Sequence, residues 1–560
     1  MNVINVVSVT SGLDRFFESY YRLRPVNATF TGVHDHDDRL PDWSPAALEA
    51  AADEMRSLRA SLASLPGASS DLRSVEGRDR ALASAFLDVQ IAEHDSVHFQ
   101  RGNPSLALGE AAFGIISLMT RPFADATVRA RTAVARLERI PAFLDGACRS
   151  MRSGIVDAWR AKTLRECDGV DRLLGAGIDR WIAVDGIAAP LATALTDAAK
   201  RAAAAVADFR KWLERAGAAP ADRCAAGADL FDLLLARGHW SHRSRADLLA
   251  EASAALDEAL ATLERDAKAV AAGGWPEVQQ RLADAHPAVE DYLPSYQSTW
   301  QACRRLAAER DLVTWRDAPI RYVPIPPQTR DAAPFLYYLF YRSPAPFDRL
   351  PVHDYVVTPI DEGLEPAEQR RRLRATNTSV IKLNHVVHHG AIGHHVQNDF
   401  AYRGPSEIGR VAAVDCSSRI GMFLGGTMAE GWACYATDLM AECGFMTPEE
   451  LLAQQHTRAR LLARAVADIA LHQGTITFGD VVALYRDRIG MSDEAARGEA
   501  CKNSMFPGTA VMYWLGTDAI HRLRRDRERA EASQFSLRRF HDRLLSFGSI
   551  PVPLIARIFA

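Results

Sequence analysis

Residues Lys382 to Phe400 read KLNHVVHHGAIGHHVQNDF, and this stretch decides how the rest of the chain must fold around it. Five of the seventeen histidines fall within its eleven central residues: His385, His388, His389, His394 and His395. Imidazole is the side chain that most often binds metal and that titrates nearest neutral pH. This density on a largely apolar stretch favours a metal or catalytic site over a polar helix face.

The spacing of the histidines leaves two ligand pairs open. In a straight helix, His385 and His389 are four residues apart and share one face. His388 and His394 are six apart and would point about 120° away from each other. They can converge only if the helix is distorted at the GAIG segment, residues 390–393, whose two glycines make distortion easy.

A hydrolytic metal site needs about three ligands, an open position for water and a group that handles protons. Glu430, in TMAEGWACYATDL, is the candidate third ligand. Thr427 and Glu430 also have the spacing of a capping box, after a glycine pair at 425–426. On spacing alone, a role for Glu430 in capping the helix is favoured over a role as metal ligand. Glu430 can fill both roles only if one of its carboxylate oxygens stays available for the metal.

A second group of candidate ligands lies near the N-terminus, in the loop GVHDHDDRLPDWSP. Its adjacent polar residues are His34, Asp35, His36, Asp37 and Asp38. They form either a local metal nest, meaning a metal site built within this loop, or a solvated turn. The turn is the alternative because Asp and His beside Gly and Pro favour loops. They could also contribute to the rim of a distant active site.

The composition is that of an ordinary globular protein, with 560 residues, 48% hydrophobic and 24% charged. A net charge of −4 predicts no nucleic-acid or anionic-membrane partner. The N-terminus is not a good secretory signal, and no apolar run is long enough for a transmembrane helix. The eight scattered cysteines suit a reducing compartment, so we expect a cytoplasmic location.

The predicted fold class is mainly α, a large multi-helix body with a small β-sheet near the active-site cleft. Ser44-Pro45 predicts a helix start, and periodic segments predict helices near 78–98, 125–150, 187–216, 245–271 and 288–310. IRYVPIPPQ, FLYYLFYR and HDYVVTPID read as strands. Further helices are predicted at 377–401, 405–419, 427–443, 447–471, 476–489, 507–526 and 534–546.

We divide the chain into an N-terminal helical region, a small strand-rich segment and a C-terminal helical metal-site region. Their predicted bounds are 1–310, 311–365 and 366–560. The lobes are expected to form one continuous domain and not to fold independently.

Several motifs, in the right order and nearly end to end, resemble the bacterial DUF885 family, which belongs with the thermolysin-like gluzincin metallopeptidases. The matching stretches are RPVNATFTGVHDHDDRLPDWSP, HHGAIGHHVQ, EGWACYATD, FPGTAVMYWLG and FHDRLLSFGSIPVPLI. The resemblance implies a gluzincin-like helical fold with His388, His394 and Glu430 as metal ligands. It thereby selects the distorted-helix pair and a ligand role for Glu430.

The same resemblance implies roles for two further residues. Tyr513 would be a hydroxyl donor that stabilises an oxyanion. Lys502 stands where the family usually has Arg, and would bind a carboxylate or serve only as a surface cation.

The main departure from the family pattern is His389, which stands in place of the general-base Glu. Ile392 also replaces the motif's proline and Thr509 its glutamine. His389 is either the base itself, an extra ligand that shifts the site toward another metal and reaction, or the mark of a dead enzyme kept for binding.

The resulting function hypothesis is a metal-dependent hydrolase-like enzyme acting on an amide or peptide-like bond of a small substrate. The expected cofactor is a divalent metal, zinc first, with iron, copper or manganese as alternatives. The other hypotheses are a non-hydrolytic metalloenzyme, such as a lyase or redox enzyme of a biosynthetic pathway, and a catalytically dead peptide- or ligand-binding protein. The substrate and the oligomeric state do not follow from the sequence.

Overall fold

The computed structural model describes residues 12–64, 71–152, 154–336, 345–348, 350, 352–414 and 418–559. Over these residues the chain is a multi-helix body with one two-stranded sheet, which confirms the predicted fold class. The sheet separates a longer N-terminal set of helices from the C-terminal set that carries the histidine segment.

Before the sheet, the helices are α1 (Gly12–Leu23), α2 (Pro25–Thr31), α3 (Pro45–Ser64), α4 (Val75–His94), α5 (Pro104–Thr120), α6 (Ala126–Ser150), α7 (Asp157–Arg172), α8 (Ile178–Asp185), α9 (Ala189–Arg215), α10 (Ala228–Leu233), α11 (Arg245–Val270), α12 (Trp275–Asp284) and α13 (Val289–Glu309). Strand β1 (Ile320–Pro324), helix α14 (Pro327–Arg330) and strand β2 (His353–Val357) follow. The C-terminal helices are α15 (Pro366–Ala375), α16 (Thr378–Val380), α17 (His394–Arg403), α18 (Glu407–Val411), α19 (Gly426–Glu442), α20 (Pro448–His472), α21 (Phe478–Ala483), α22 (Asp493–Met505), α23 (Val511–Glu531), α24 (Leu537–Leu545) and α25 (Val552–Ile558). Segments of π-helix lie at Leu173–Gly177, Leu234–Gly238, Ile381–Gly390, Gly421–Gly425 and Leu484–Arg488, and 3₁₀ turns at Ala221–Cys224 and Ala532–Gln534.

The strongly periodic N-terminal helices agree with their predictions to within a few residues, and Pro45 is the first residue of α3. The sequence does not predict α5, because most of its residues are buried and its apolar positions therefore show no helical stripe. It also misses α22 and starts α23 too early, at 507 instead of Val511.

The small sheet is parallel, with Tyr322 of β1 opposite Tyr355 of β2. Two of the three predicted strands are confirmed, and Pro327 and Gln328, at the end of the first, belong instead to α14. For the remaining predicted strand, FLYYLFYR, residues 337–342 lie outside the described residues.

The main hydrophobic core runs from the N-terminal helices through the sheet to the histidine segment. It includes Tyr296 of α13, Tyr322 of β1, and Val386, Ile392 and Trp432, all of them buried. Residues from all three predicted regions thus pack into one core, while their division at 310 and 365 stays a prediction. The metal-site segment therefore sits inside the body of the protein and not on an appended lobe.

Cysteines and helix lengths bear on the predicted compartment. No disulfide joins the cysteines of the described residues, and Cys416 lies outside them. Among the described helices, none combines the length and apolar character that crossing a membrane requires.

Helices α19 and α23 cross in backbone contact at two glycines, Gly431 and Gly516. A Cβ atom built on Gly516 would lie 2.1 Å from the carbonyl oxygen of Thr427, and one on Gly431 would lie 2.6 Å from the Cα of Gly516. Side chains larger than hydrogen cannot fit there without moving the backbone. Because α19 carries Glu430 and α23 carries Tyr513, this crossing sets the distance between two candidate site residues.

The side chain of His34 joins its own loop to Asp348, which is distant in the sequence. The His34 ring bonds through Nδ1 to Oδ2 of Asp37 and through Nε2 to Oδ1 of Asp348, both at 2.7 Å, and it stacks on Phe123. Burial lowers the pKa of His34, but the bonds to Asp348 and Asp37 outweigh this and raise it to about 9. The loop is not part of the group of three or more clustered ligands that the described residues contain, so the local metal nest is not supported.

We predict that Gly516→Ala destabilises the protein by roughly 1–3 kcal/mol, because the added methyl group must displace the backbone of α19. The matched control is Gly498→Ala in α22, where a Cβ meets nothing within 4 Å. This control should be neutral or stabilising by roughly 0.5–1 kcal/mol. Urea denaturation followed by circular dichroism measures both, and equal effects would contradict the tight crossing.

We predict that His34→Asn lowers stability on the order of 1–2 kcal/mol near pH 6, allowing for the partial exposure of the ring. The folded-state pKa of His34 is raised to about 9, above the ordinary value of 6.5. Its contribution is therefore fully present below about pH 6.5 and is lost as the pH rises through about 9. Melting curves between pH 6 and 9.5 should show the wild-type and variant converging, whereas the exposed control Asp35→Asn should leave the pH dependence unchanged.

Candidate metal centre

The histidine segment is not a continuous α-helix. Its first half is the π-helical segment Ile381–Gly390, and α17 begins only at His394. The N–H of Gly393 donates to the carbonyl of Val387 at 3.0 Å, and a Cβ on Gly393 would lie 1.9 Å from the carbonyl oxygen of His388. Only glycine permits this approach, so the helix is distorted at the GAIG segment, as the second ligand pair requires.

Two buried tryptophans hold the break in place. The indole N–H of Trp300, from α13, donates to the carbonyl of Gly390 at 2.9 Å. The indole N–H of Trp432, from α19, donates to the carbonyl of Ile392, also at 2.9 Å. A helix break exposes backbone groups that must find partners when buried. Here the partners are side chains from two distant helices, so the break is part of the packed core.

The break turns two imidazoles toward one carboxylate. The Nε2 atoms of His388 and His394 lie 3.4 and 3.6 Å from Oε2 of Glu430. Two ligand atoms of a tetrahedral zinc with ordinary bond lengths stand about 3.3 Å apart. Oε2 is also buried, and no described group donates an aligned hydrogen bond to it. The donor set and its spacing therefore fit a divalent metal.

The capping-box interpretation of Glu430 is wrong. The π-helical segment Gly421–Gly425 runs directly into α19, so Thr427 is already inside the helix and not at its N-cap. The Thr427 hydroxyl oxygen instead accepts the backbone N–H of Val552 at 3.0 Å. The carboxylate of Glu430 is thus not engaged in capping and points toward the imidazoles.

His389 lies beside the two imidazoles. Its ring centroid is 4.7 Å from that of His388 and 5.3 Å from that of His394, and the ligating atoms of the three rings lie within 4.8 Å of one another. Its Nδ1 contacts the carbonyl of Asn384 at 2.7 Å. Because a carbonyl only accepts, Nδ1 carries the proton and the lone pair of the neutral ring is on Nε2.

Burial keeps the imidazoles neutral and the carboxylate charged. Burial lowers the pKa of His388, and it holds the pKa of His389 well below its usual value, with help from the neighbouring His388 and His394. For Glu430, burial raises the pKa, but the contacts with His388 and His394 outweigh it and hold the pKa well below its usual value. Neutral imidazole and ionised carboxylate are the forms that bind metal.

The remaining two histidines of the segment have other partners. Nδ1 of His385 bonds to the Tyr355 hydroxyl at 2.6 Å, and burial lowers its pKa to about 4. His395 bonds through Nε2 to the carbonyl of Ala318 at 2.7 Å and lies 3.1 Å from His353 through Nδ1. Of the two candidate pairs, the structure brings together His388 and His394 with the carboxylate.

Tyr513 and Lys502 line the same cavity as the three clustered histidines. The cavity has a volume of about 1310 Å³, larger than the roughly 300–1,000 Å³ of most small-molecule sites. Tyr513 lies on α23, with the Arg464 guanidinium 5.3 Å over its ring, and Lys502 lies on α22. Both predicted residues therefore face the cavity of the candidate site.

The sequence gives no indication of several residues that shape the site. Trp300 and Trp432 read as ordinary core residues, and their role depends on carbonyls that only the helix break exposes. Arg460 and Arg464 read as a solvated helix face, since an i, i+4 pair of arginines is common on exposed helices.

Two solved structures have a similar fold. One is a putative lipoprotein of unknown function from Shewanella oneidensis, 20% identical, with a TM-score of 0.76 over 98% of each chain. The other is a putative lipoprotein from Colwellia psychrerythraea, 15% identical, with a TM-score of 0.77 over 98% of this chain and 99% of that one. At these identities the likeness shows the fold alone.

No curated protein matches the chain. The family described as "Bacterial protein of unknown function (DUF885)" matches residues 25–558, which is nearly the whole length. The resemblance read from the motifs is therefore confirmed at the level of the family, and the chain belongs to DUF885.

Proposed function

We propose that this protein is a metal-dependent hydrolase acting on an amide or peptide-like bond of a small substrate, with a gluzincin-like arrangement of ligands. One observation carries the proposal. Two imidazole nitrogens lie 3.4 and 3.6 Å from a buried carboxylate oxygen that accepts no aligned hydrogen bond from the described residues. This arrangement would be unfavourable without a cation, because a buried polar atom needs a partner.

His388, His394 and Glu430 would hold the metal. Two histidines and a carboxylate suit zinc first, with iron, copper or manganese as alternatives. A bound metal ion would polarise the substrate carbonyl and lower the pKa of water. The Asn384 carbonyl fixes the ring of His389 beside them, and three protein ligands would leave a coordination position for water or substrate.

His389 takes the proton from the attacking water in this proposal. Its Nδ1 proton is held by the Asn384 carbonyl, so the basic nitrogen is Nε2, whose ring faces His388 and His394. The lowered pKa of His389 keeps its ring neutral, so the Nε2 lone pair is available for the proton that a Glu takes in the usual family pattern. The ring then passes the proton to the leaving amine.

Tyr513 is the proposed oxyanion donor, and Lys502 a binding residue for a substrate carboxylate. The Tyr513 hydroxyl is on a helix that crosses α19 in backbone contact, so it shares a rigid frame with Glu430. A preorganised donor of this kind stabilises charge that develops on a carbonyl oxygen. The Arg464 guanidinium over the ring of Tyr513 draws electron density from the ring, which makes the hydroxyl a stronger hydrogen-bond donor.

A second candidate function rests on the same three rings. The ligating atoms of His388, His389 and His394 lie within 4.8 Å of one another, so a modest shift would make His389 a fourth ligand. A site of three imidazoles and a carboxylate suits iron, copper or manganese and non-hydrolytic lyase or redox chemistry, as in a biosynthetic enzyme. A catalytically dead ligand-binding protein is the third candidate.

A cytoplasmic location and a small-molecule or peptide-like substrate complete the proposal. The absence of a disulfide among the described cysteines supports the reducing compartment. The two similar structures are named as putative lipoproteins, and that name concerns those two proteins.

We predict that the purified protein contains about one equivalent of zinc and that Glu430→Gln loses most of it, because the substitution removes a charged ligand. The matched control is Glu442→Gln on the same helix, whose carboxylate is half exposed and pairs with Arg524. Metal analysis by mass spectrometry checks both. Iron, copper or manganese would favour the second candidate function, and full zinc content in Glu430→Gln would contradict the ligand set.

We predict that His389→Ala lowers hydrolysis of an amide library by roughly 10²–10⁴-fold while the zinc content stays near one equivalent. Fluorescent detection of released amines measures the rate, and metal analysis runs on the same sample. His389→Glu should restore or exceed the wild-type rate, since a carboxylate is the usual base at this position. Loss of metal in His389→Ala would make the residue a ligand, and an unchanged rate would remove it from the reaction.

A further inference from the structure

Tyr513 lies in the first turn of α23, and the start of this helix is held by a side chain from a different helix. The carboxylate of Asp468, on α20, accepts three backbone N–H groups there. Its Oδ1 accepts the N–H of Gly508 at 3.0 Å, and its Oδ2 accepts those of Ala510 and Val511, both at 2.9 Å. The first N–H groups of a helix have no partner within the helix, so Asp468 acts as the cap of α23.

This cap differs from the usual kind, in which the capping residue directly precedes its own helix. Ser74 and Ser244 cap α4 and α11 in that usual way. Asp468 instead lies 40 to 43 residues before the groups that it binds, and its side chain is fully buried. It therefore fixes where α23 begins relative to α20, in addition to satisfying the N–H groups.

The ring of Tyr513 is held from the same face of α20. Arg464 lies one turn before Asp468, so the two side chains share that face. The Arg464 guanidinium lies over the Tyr513 ring, 5.3 Å from its centroid, which is a cation–π contact. Arg464 is itself fixed by Glu499 of α22, from Nε to Oε2 at 2.8 Å and from Nη2 to Oε1 at 2.6 Å. The two paired side chains are only 11% and 15% exposed, so their bidentate contact is a rigid support.

We propose that Asp468 and Arg464 are positioning residues for Tyr513, one through the backbone that precedes it and the other through its ring. Tyr513 lines a cavity of about 1310 Å³, which is wide enough for an unrestrained ring to adopt other rotamers. An oxyanion donor is effective only when it is held within about 0.5 Å of its productive place. The catalytic consequence rests on the proposed function, whereas the positioning rests on these contacts alone.

Fluorine NMR of the full-length, metal-loaded protein labelled with meta-fluorotyrosine reports on the ring directly. The signal of Tyr513 is the one that Tyr513→Phe removes. Asp468→Asn should broaden or split this signal, because the new amide group opposes the N–H groups at the start of α23. Arg464→Lys should shift it, because an ammonium keeps the charge but not the planar group over the ring. Burial raises the pKa of Asp468 to about 7, so the spectra are recorded at about pH 8, where the carboxylate is ionised.

The matched control is Asp79→Asn. Asp79 is likewise a buried aspartate, and it lies on α4 and accepts the N–H of Glu407 at the start of α18, at 2.9 Å. This substitution removes a cap of the same kind at the start of a different helix. It should leave the signal of Tyr513 unchanged, and circular dichroism shows whether each variant is folded.

Hydrolysis of alanyl-alanine p-nitroanilide gives a second measurement. Asp468→Asn should lower kcat about ten-fold and change KM by less than about two-fold, because a misplaced oxyanion donor weakens binding of the transition state only. In a Tyr513→Phe background, the same substitution should change kcat by less than about two-fold, since residues that act through one another are not additive. A merely structural role would lower kcat equally in both backgrounds.

An unchanged Tyr513 signal in both folded variants overturns the inference, and so does an equal change of that signal in the control. Equal losses of kcat with and without the Tyr513 hydroxyl also overturn it. If Asp468→Asn does not fold, Arg464→Lys decides by the same two measurements. A wild-type protein that hydrolyses nothing in the amide library counts against the proposed function, and the fluorine signals then still decide the positioning.

Discussion

The close approach of Gly393 to the His388 carbonyl is the constraint on which the site depends. A helix that passed straight through this segment would point His388 and His394 in different directions. The backbone can turn there only because residue 393 has no Cβ, and the turn is held by hydrogen bonds from two tryptophans. Those tryptophans come from α13 and α19, so the packing of distant helices fixes the relative positions of two candidate ligands.

The carboxylate arrives on α19, whose position is set by a second close approach. Gly431 and Gly516 let α19 and α23 touch through their backbones. The candidate ligand Glu430 and the candidate donor Tyr513 therefore lie on two helices in direct backbone contact. A pocket built from rigid elements in this way holds its groups in place before a substrate arrives, which is the usual basis of efficient catalysis.

Much of the fold follows from the sequence, and the site follows in part. Amphipathic helices such as α9 and α11 are evident from their periodicity, because each buries one face. The pair His388 and His394 is one of two that spacing allows, and only the backbone shows that GAIG takes the distorted form. The Thr427–Glu430 spacing suggests a cap, because spacing does not reveal that a π-helical segment extends α19 beyond Thr427. The indole bonds depend on contacts between residues far apart in the chain.

The Nδ1 bond from His389 to the carbonyl of Asn384 is made within its own segment. The ring contacts those of His388 and His394. The hydrogen bonds from the two tryptophans that hold the helix break do not involve it, so an exchange of residue 389 leaves those bonds in place. The side chain at position 389 can therefore vary independently of the backbone that surrounds it. Proteins that share this scaffold can therefore differ in chemistry through a single side chain while the candidate ligands, the cavity and the fold stay the same.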